Sequence, residues 1–207
     1  REIEVKDKQI YLNHRPIFLK GFGMHEDYEI LGKGSHSMVH LRDFELLKWI
    51  GANSFRTSHY PYDEEIYDLA DRYGILIIDE MPAVGLNFWD PRPVFTPERV
   101  NDKSLDVYKA QLRELVERDK NHPSVIMYSL ANEANTHEEH ALDFFEGAFA
   151  HARQLTDLPL MIVEYVSAEV NRVAHLADVI GINRYHGWYT DFGDLSVIDA
   201  QIKNSIN

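Results

Sequence analysis

The amino-acid sequence predicts an α/β protein, a (β/α)8 TIM barrel of which this chain carries about six of the eight βα units. Short runs that are apolar on both faces alternate with amphipathic stretches of helical period, which is typical of a parallel sheet covered by helices. Polar residues follow the carboxyl ends of six such runs. Barrel enzymes carry their active sites at that face, so this distribution favours the barrel.

A competing α/β architecture, the doubly wound sheet, is disfavoured because its phosphate loop is missing. Such sheets usually carry a glycine-rich loop after an early strand. The stretch "GFGMHE" (21–26) has two glycines but no third in place, and no helix start follows it. A pair of glycines alone is weak evidence for nucleotide binding.

The elements begin with a short hairpin, predicted where residues 2–13 alternate apolar and polar positions around a polar turn. The first barrel strand is predicted over residues 16–23, and a helix over residues 37–50 follows, with Ser37 as its N-cap. At the helical period its apolar face comprises Met38, Leu41, Phe44, Leu47 and Trp49.

The remaining elements follow in regular alternation. The second helix opens near Asp63 and stops at Gly74. Apolar residues at the helical period predict further helices near 101–120 and 138–156, and a last helix over 194–207. The other strands are predicted at residues 53–58, 75–80, 124–133, 158–165 and 177–185.

The composition argues against several kinds of partner. Lys plus Arg number 21 and Asp plus Glu number 34, so the formal net charge of −13 repels phosphate backbones and disfavours nucleic acid. No run approaches the roughly 18 apolar residues of a membrane span, so we expect no membrane partner. The absence of cysteine removes thiol catalysis and Cys-ligated zinc. No signal peptide is visible, which predicts a cytoplasmic location, and Arg1 in place of Met predicts a start inside a longer protein.

The strand predicted at residues 124–133 ends in the sharpest catalytic candidate. Its apolar run stops abruptly at Asn132 and Glu133. A carboxylate there could be stabilised by the dipole of the next helix, but that helix is predicted to begin several residues later. A Glu beside an Asn suits sugar chemistry, because the carboxyl can protonate a glycosidic oxygen while the amide holds the neighbouring hydroxyl.

Charged residues at other strand ends form a second group of candidates. Arg56 is expected either to orient a carboxylate or to form an ion pair with Asp79 or Glu80 at the barrel mouth. Asp79 and Glu80 are expected to orient Arg56 and His59 rather than to bind substrate. Supporting positions of this kind are assigned to His25, His59, Glu80 and Glu164.

Two histidine pairs invite a metal interpretation, which the sequence does not favour. His36 and His40 are four residues apart, and His137 and His140 are three apart, spacings that can bind zinc. Neither pair has a matching third ligand or the His-Glu-x-x-His pattern. We therefore predict neither a metal nor another cofactor.

The loop "NRYHGWY" (183–189) concentrates aromatic residues after a predicted strand. They could simply pack together. On a polar barrel rim, however, aromatic rings also form flat platforms for sugar rings, and their hydroxyl groups remain available for hydrogen bonds.

Taken together, these motifs resemble the catalytic barrel of the family 2 glycoside hydrolases, and within that family the β-glucuronidases. The resemblance covers essentially the whole chain. Its matching stretches are "GFGMHEDYEILGKG" (21–34), "WIGANSFRTSHYPY" (49–62), "YGILIIDE" (73–80), "RDKNHPSVIMYSLANEA" (118–134) and "INRYHGWY" (182–189). Part of the pattern is shared with β-galactosidases, so β-galactosidase, β-mannosidase and a non-catalytic carbohydrate-binding fragment remain alternatives.

The resemblance implies a retaining hydrolase of β-D-glucuronides that needs no cofactor. Glu133 would be its general acid/base, and Asn132 would bind the 2-hydroxyl of the sugar. Substrate-binding positions would also include Asn183, Tyr185, Trp188, Tyr189 and Arg56, the last near the nucleophile. Tyr128, where the family usually has Trp, and Ala134, where it usually has Pro, are departures beside the acid/base.

The resemblance further implies that residues 1–207 are one partial barrel domain. The nucleophilic Glu, the last two βα units and the N-terminal sandwich domains would lie outside it. Glu164 imitates the nucleophile motif but ends the strand next to that of Glu133, so the two carboxyls are expected to perturb each other's protonation rather than flank a sugar. We expect no turnover by the chain alone, association through its two open sheet edges, and a homo-oligomer in the full-length protein.

Overall fold

A computed structural model describes residues 1–86, 91–189 and 191–206 of the chain, the last three for their backbone alone. The described residues form a small antiparallel sheet followed by a six-stranded parallel sheet with helices on its outer side. The parallel strands lie in chain order, as in a (β/α) barrel, so the predicted fold class is confirmed. No helix in these ranges is long and apolar enough to cross a bilayer.

The small sheet consists of β1 (Ile3–Lys6), β2 (Gln9–Leu12) and β3 (Arg15–Ile17). Each of its two-residue turns has two consecutive residues with positive φ, the conformation that matches the twist of adjoining strands. The hairpin predicted over residues 2–13 is confirmed, because β1 and β2 pair as antiparallel strands. The single strand predicted over residues 16–23 was wrong, because a second turn adds β3 to this sheet before β4 begins. The apolar run is thereby divided between two sheets.

The parallel sheet contains strands β4 to β9, each paired with the next along the chain. Their bounds are Gly21–Gly23, Ser54–Arg56, Leu76–Glu80, Val125–Asn132, Leu160–Glu164 and Val179–Ile182. The helices α1 to α5 span Ser37–Trp49, Glu64–Tyr73, Asp102–Asp119, Ala141–Leu155 and Ile198–Ile206. The strand ends therefore meet at one rim, where the candidate residues collect. The predicted last helix included Asn207, which lies outside the described residues.

Local signals set most helix limits. Asp63 caps α2 by accepting from the backbone N–H of Glu65, and Gly74 ends it with a φ of 69°. Asn101 likewise caps α3.

The prediction for α1 was partly wrong. His36, not Ser37, is its N-cap, and Met38 and Trp49 are exposed. Phe44 faces the sheet, and at about 100° per residue both exposed side chains point well away from it. The buried face includes a histidine instead, His40, whose ring bonds Glu65 at 2.7 Å.

Two apolar layers lie on opposite faces of the parallel sheet. The larger layer packs the sheet against the helices, and Leu160 and Ile162 of β8 point into it. The smaller layer lies inside the barrel and contains Met161 and Val163 of the same strand. Ile10 of the small sheet packs against this inner layer, so the small sheet lies over the end of the barrel opposite the candidate site.

Candidate active site

The end of β7 brings two consecutive polar side chains to the inner face of the sheet. Successive residues of a strand normally point to opposite faces. Glu133 breaks this alternation because its φ is 53°, in the left-handed region that side chains rarely adopt. Its backbone N–H still donates to the carbonyl of Val163 at 2.8 Å, which holds the residue against β8. Asn132 and Glu133 can therefore face the same side of the sheet, the barrel interior, which is the cavity side.

The carboxyl of Glu133 is nearly buried and is held from β9. The Nδ2 group of Asn183 donates to its Oε1 at 2.6 Å, and the Tyr185 hydroxyl donates to the same oxygen. Burial, followed by this hydrogen bond, raises the pKa of Tyr185 to about 12, so the phenol stays a proton donor. These contacts fix the carboxyl at the rim of the strands.

The amide of Asn132 is held by two donors. Arg56 NH1 lies 3.1 Å from Asn132 Oδ1, and Asn183 Nδ2 lies 3.3 Å from the same atom. The inward-facing ends of β5, β7 and β9 are thus joined by one hydrogen-bonded chain of side chains. Three of the residues predicted to bind substrate lie together here.

Glu80 is the buried centre of the neighbouring part of the rim. Its Oε2 accepts from Arg56 NH1 at 2.6 Å and from the Ser129 hydroxyl at 2.7 Å. Its Oε1 lies 2.6 Å from His59 Nδ1. Of the two pairings considered for Arg56, the structure shows the one with Glu80. Ser129 was missed by the sequence analysis, although a serine in a largely apolar strand is a usable signal.

Asp79 does not orient Arg56 or His59, so that expectation was wrong. It points into the helix-side layer, where it accepts from the hydroxyls of Tyr67 at 2.7 Å and Thr57 at 3.3 Å. Burial raises its pKa well above the usual range for a carboxyl. The alternation of side chains along β6 separates it from Glu80, one residue away.

Glu164 is also directed away from the rim cavity. Leu160, Ile162 and Glu164 are alternate residues of β8 and therefore point to the same face, the helix side. Glu164 accepts a hydrogen bond from Thr136 Oγ1 at 2.9 Å. Burial raises its pKa to about 7. Neighbouring strand ends can point to opposite faces of the sheet, and the mutual perturbation of the two carboxyls stays a prediction.

The aromatic loop after β9 lies beside Glu133. The ring of Tyr185 is 4.8 Å from that of Tyr189 and 5.8 Å from that of Trp188, measured between centroids. Trp188 and Tyr189 stack at 4.6 Å and are largely exposed. The loop therefore presents two open ring faces next to the candidate acid/base.

His25, at the end of β4, lies on the far side of the Glu80 group. Its ring meets that of His59 edge-on at 5.5 Å. Burial and the neighbouring His59 lower its pKa, which favours a neutral ring. His59 thus contacts Glu80 directly, and His25 packs against the ring of His59.

The loop that follows Glu133 is tied down by a residue that the sequence analysis did not single out. Both oxygens of Glu138 accept from the backbone N–H of Val94, and one accepts from Phe95. Asn135 donates to Glu138 at 2.8 Å and accepts from Tyr165 at 3.1 Å. These contacts join the loops after β6, β7 and β8. No local sequence pattern predicts these contacts.

Three of the four histidines in these pairs have protein partners in the structure. His36 caps α1 and His40 bonds Glu65, while His140 lies 3.4 Å from Asp143 on the surface. Within residues 1–86, 91–189 and 191–206, no three metal-ligating side chains converge.

The fold and the rim define a class of protein, the (β/α) barrels with polar side chains gathered at the carboxyl ends of their strands. Residues 3–207 match the TIM barrel domain of glycosyl hydrolases family 2, and the chain belongs to that family. The predicted resemblance is confirmed.

Several relatives of the chain are β-glucuronidases. The chain is 45% identical over 205 residues to a β-glucuronidase of Paenibacillus borealis, covering 98% of the chain and 34% of that protein. A structure of β-D-glucuronidase for Dictyoglomus thermophilum superposes with a TM-score of 0.95 at 52% identity, over 99% of the chain and 36% of that protein. A β-glucuronidase from Ruminococcus gnavus, in complex with a C6-substituted uronic isofagomine, gives 0.82 at 44% identity, over 90% and 32%. The chain spans about a third of the length of these relatives.

Proposed function

We propose that this chain is part of a longer retaining glycoside hydrolase that cleaves β-D-glucuronides, with Glu133 as its general acid/base. One observation carries the proposal. The Glu133 carboxyl lies beside Asn132 at the carboxyl end of a barrel strand, on the inner face, in a chain of family 2. Carboxyls at this face of a barrel are placed for catalysis.

The proposed chemistry uses two carboxyls about 5 Å apart. Glu133 protonates the glycosidic oxygen while a second Glu, outside this chain, attacks the anomeric carbon and forms a glycosyl-enzyme. Glu133 then removes a proton from water, which hydrolyses that intermediate. Within the chain, Glu80 is engaged by Arg56 and His59, and Glu164 faces the helices, so neither competes for the nucleophile's role.

Substrate recognition is assigned to the rim residues around Glu133. Asn132 would bind the 2-hydroxyl of the sugar, while Asn183, Tyr185 and Tyr189 would line the pocket with Trp188 beside them. The uronic ligand of the Ruminococcus gnavus relative supports a carboxylated sugar. Since the chain carries a net charge of −13, the sugar carboxylate needs a local cation, which we place outside this chain.

The substrate is tested by assaying the full-length protein on aryl β-D-glucuronide, β-D-galactoside and β-D-mannoside. We expect kcat/KM for the glucuronide to exceed the others by at least about 100-fold, because a site built around the carboxylate rejects sugars that lack it. The 207-residue chain alone serves as a control and should show no turnover. A preference for galactoside or mannoside would overturn the substrate assignment, and inactivity on all three would favour a binding role.

The role of Glu133 is tested with E133A, an activated aryl glucuronide and azide. The good leaving group needs no acid, so the glycosyl-enzyme should form and then persist for lack of a base. Azide should enter the space left by the side chain and release β-glucuronosyl azide, restoring turnover. An α-configured azide would instead identify Glu133 as the nucleophile. E164A, which alters a carboxyl facing away from the cavity, is the matched control and should not respond to azide.

A further inference from the structure

Glu80 combines complete burial with three charged or polar donors on its two oxygens. These donors come from different elements: Arg56 from β5, His59 from the following loop and Ser129 from β7. A buried carboxylate is tolerated only when such donors replace its water. Glu80 does not reach the Glu133 cavity itself, so any effect it has on a substrate must pass through a neighbour.

The neighbour is Arg56. Its NH1 nitrogen contacts Glu80 Oε2 at 2.6 Å and Asn132 Oδ1 at 3.1 Å. The carboxylate gives the guanidinium its charge partner and sets the direction of its planar fork. Arg56 is therefore aimed at Asn132 by Glu80.

The polarity of the Asn132 amide follows from its two partners. Arg56 can only donate. Asn183 presents Nδ2, because the same group donates to the Glu133 carboxyl at 2.6 Å. Arg56 and Asn183 thus both donate to the same end of the Asn132 amide, and only the oxygen Oδ1 can accept from them. If the amide were rotated by 180°, its NH2 group would face these two donors. The NH2 group is therefore left for the substrate.

We propose that Glu80 is a positioning residue: through Arg56 it holds the Asn132 amide with its NH2 group toward the sugar, to bind a hydroxyl oxygen as acceptor. This inference rests on the proposed function. When the charge of Glu80 is removed, Arg56 loses its fixed direction, the amide can rotate, and the substrate hydroxyl loses a defined partner. The residue acts on catalysis only as long as Asn132 is present.

The test is a double-mutant cycle in the full-length protein, with E80Q, N132A and the combination. We expect E80Q to lower kcat/KM at least about 10-fold in the wild-type background and less than about 2-fold in N132A, because residues in one network are not additive. The matched control is D79N, the same change one residue away on the opposite face. Its small effect should be the same in both backgrounds.

A second variant covers the case in which E80Q does not fold. S129A removes one donor to Glu80 but leaves its charge, so it should fold, lower kcat/KM about 3-fold, and lose this effect in N132A. If E80Q lowers kcat/KM by the same factor in the wild-type and N132A backgrounds, the positioning role is overturned while the proposed function stands. If E80Q is unfolded, the same comparison is made with S129A. A wild-type protein inactive on every aryl glycoside would overturn both.

Discussion

The cavity side and the helix side of the parallel sheet treat neighbouring carboxyls in opposite ways. On the cavity side, Glu80 is paired with Arg56 and His59, and Glu133 is held by donors from β9. On the helix side, Asp79 and Glu164 lie among apolar side chains, and burial raises the pKa of both. Asp79 and Glu80 are consecutive residues of β6, yet they lie in these two different environments.

The difference shows that the face of the sheet to which a carboxyl points, more than the residue type at the strand end, decides whether that carboxyl is placed for catalysis. The helix-side carboxyls Asp79 and Glu164 accept from hydroxyls, and burial favours their protonated form. The cavity-side carboxyls accept from hydroxyls too, but Glu80 is also paired with the guanidinium of Arg56. Pairs of matched substitutions on the two sides can therefore test the division.

The largest contrast should come from E133Q and E164Q. With a glucuronide whose leaving group needs protonation, E133Q should lower kcat/KM by about 10² to 10⁴, because it removes general acid–base catalysis. E164Q replaces a carboxyl that faces the helices and should stay within about 3-fold of wild type. Steady-state kinetics of the full-length variants check both values. A comparable loss in E164Q would contradict the division.

The two apolar layers should differ in their response to truncation. Phe145 is fully buried on the helix side against Phe95 and Phe144, so F145A should lower the free energy of unfolding by about 3–5 kcal/mol. Met161 lies on the inner face and is slightly exposed, and M161A should cost nearer 2 kcal/mol. Urea unfolding of the two variants measures the difference. A larger cost for M161A would show that the inner layer dominates.

Glu164 should make stability depend on pH. Its pKa is raised from 4.5 in the unfolded chain to about 7 in the folded one, so the folded state binds more protons between these values. Stability is then full below pH 4.5 and falls as the pH rises to 7, by about 3 kcal/mol. E164Q should therefore gain stability relative to wild type between pH 4.5 and 8.

Urea midpoints at both pH values measure this gain, and E146Q, at an exposed position of α4, is the control that should show none. An equal difference between E164Q and wild type at both pH values would show that Glu164 titrates alike in the folded and unfolded chains.

The smallest contrast involves two tyrosines. Y185F removes the hydroxyl that donates to Glu133 and should lower kcat/KM about 10-fold, because a hydrogen bond that orients the carboxyl is lost. Y165F removes the hydroxyl that donates to Asn135 and should change kcat/KM less than 2-fold while lowering stability by about 1 kcal/mol. Kinetics and thermal unfolding of both proteins separate these effects. Equal kinetic losses would place Tyr165 in the site as well.

The order of the elements could be predicted because the signals that set it are local. Asp63 and Gly74 bound α2 through contacts within a few residues, and helical periodicity located α3 and α4. The grouping of Arg56, Asn132 and Asn183 followed from parallel strands, whose carboxyl ends share one rim. These features need no knowledge of side-chain direction.

The direction of individual carboxyls could not be predicted. β8 is apolar on both faces, so its sequence has no alternation of polar and apolar residues to show to which face Glu164 points. In β7 the register shifts between Ser129 and Asn132, which brings residues three apart to one face. The Glu138 contacts join residues more than 40 positions apart and likewise leave no local pattern.

The left-handed backbone at Glu133 has a cost for folding. For an ordinary side chain this conformation is unfavourable by about 1–2 kcal/mol, whereas glycine adopts it freely. The residue that folding alone would favour at position 133 is therefore glycine, which has no side chain to transfer a proton. Under the role proposed for Glu133, exchange for glycine would relieve backbone strain and remove the general acid/base together.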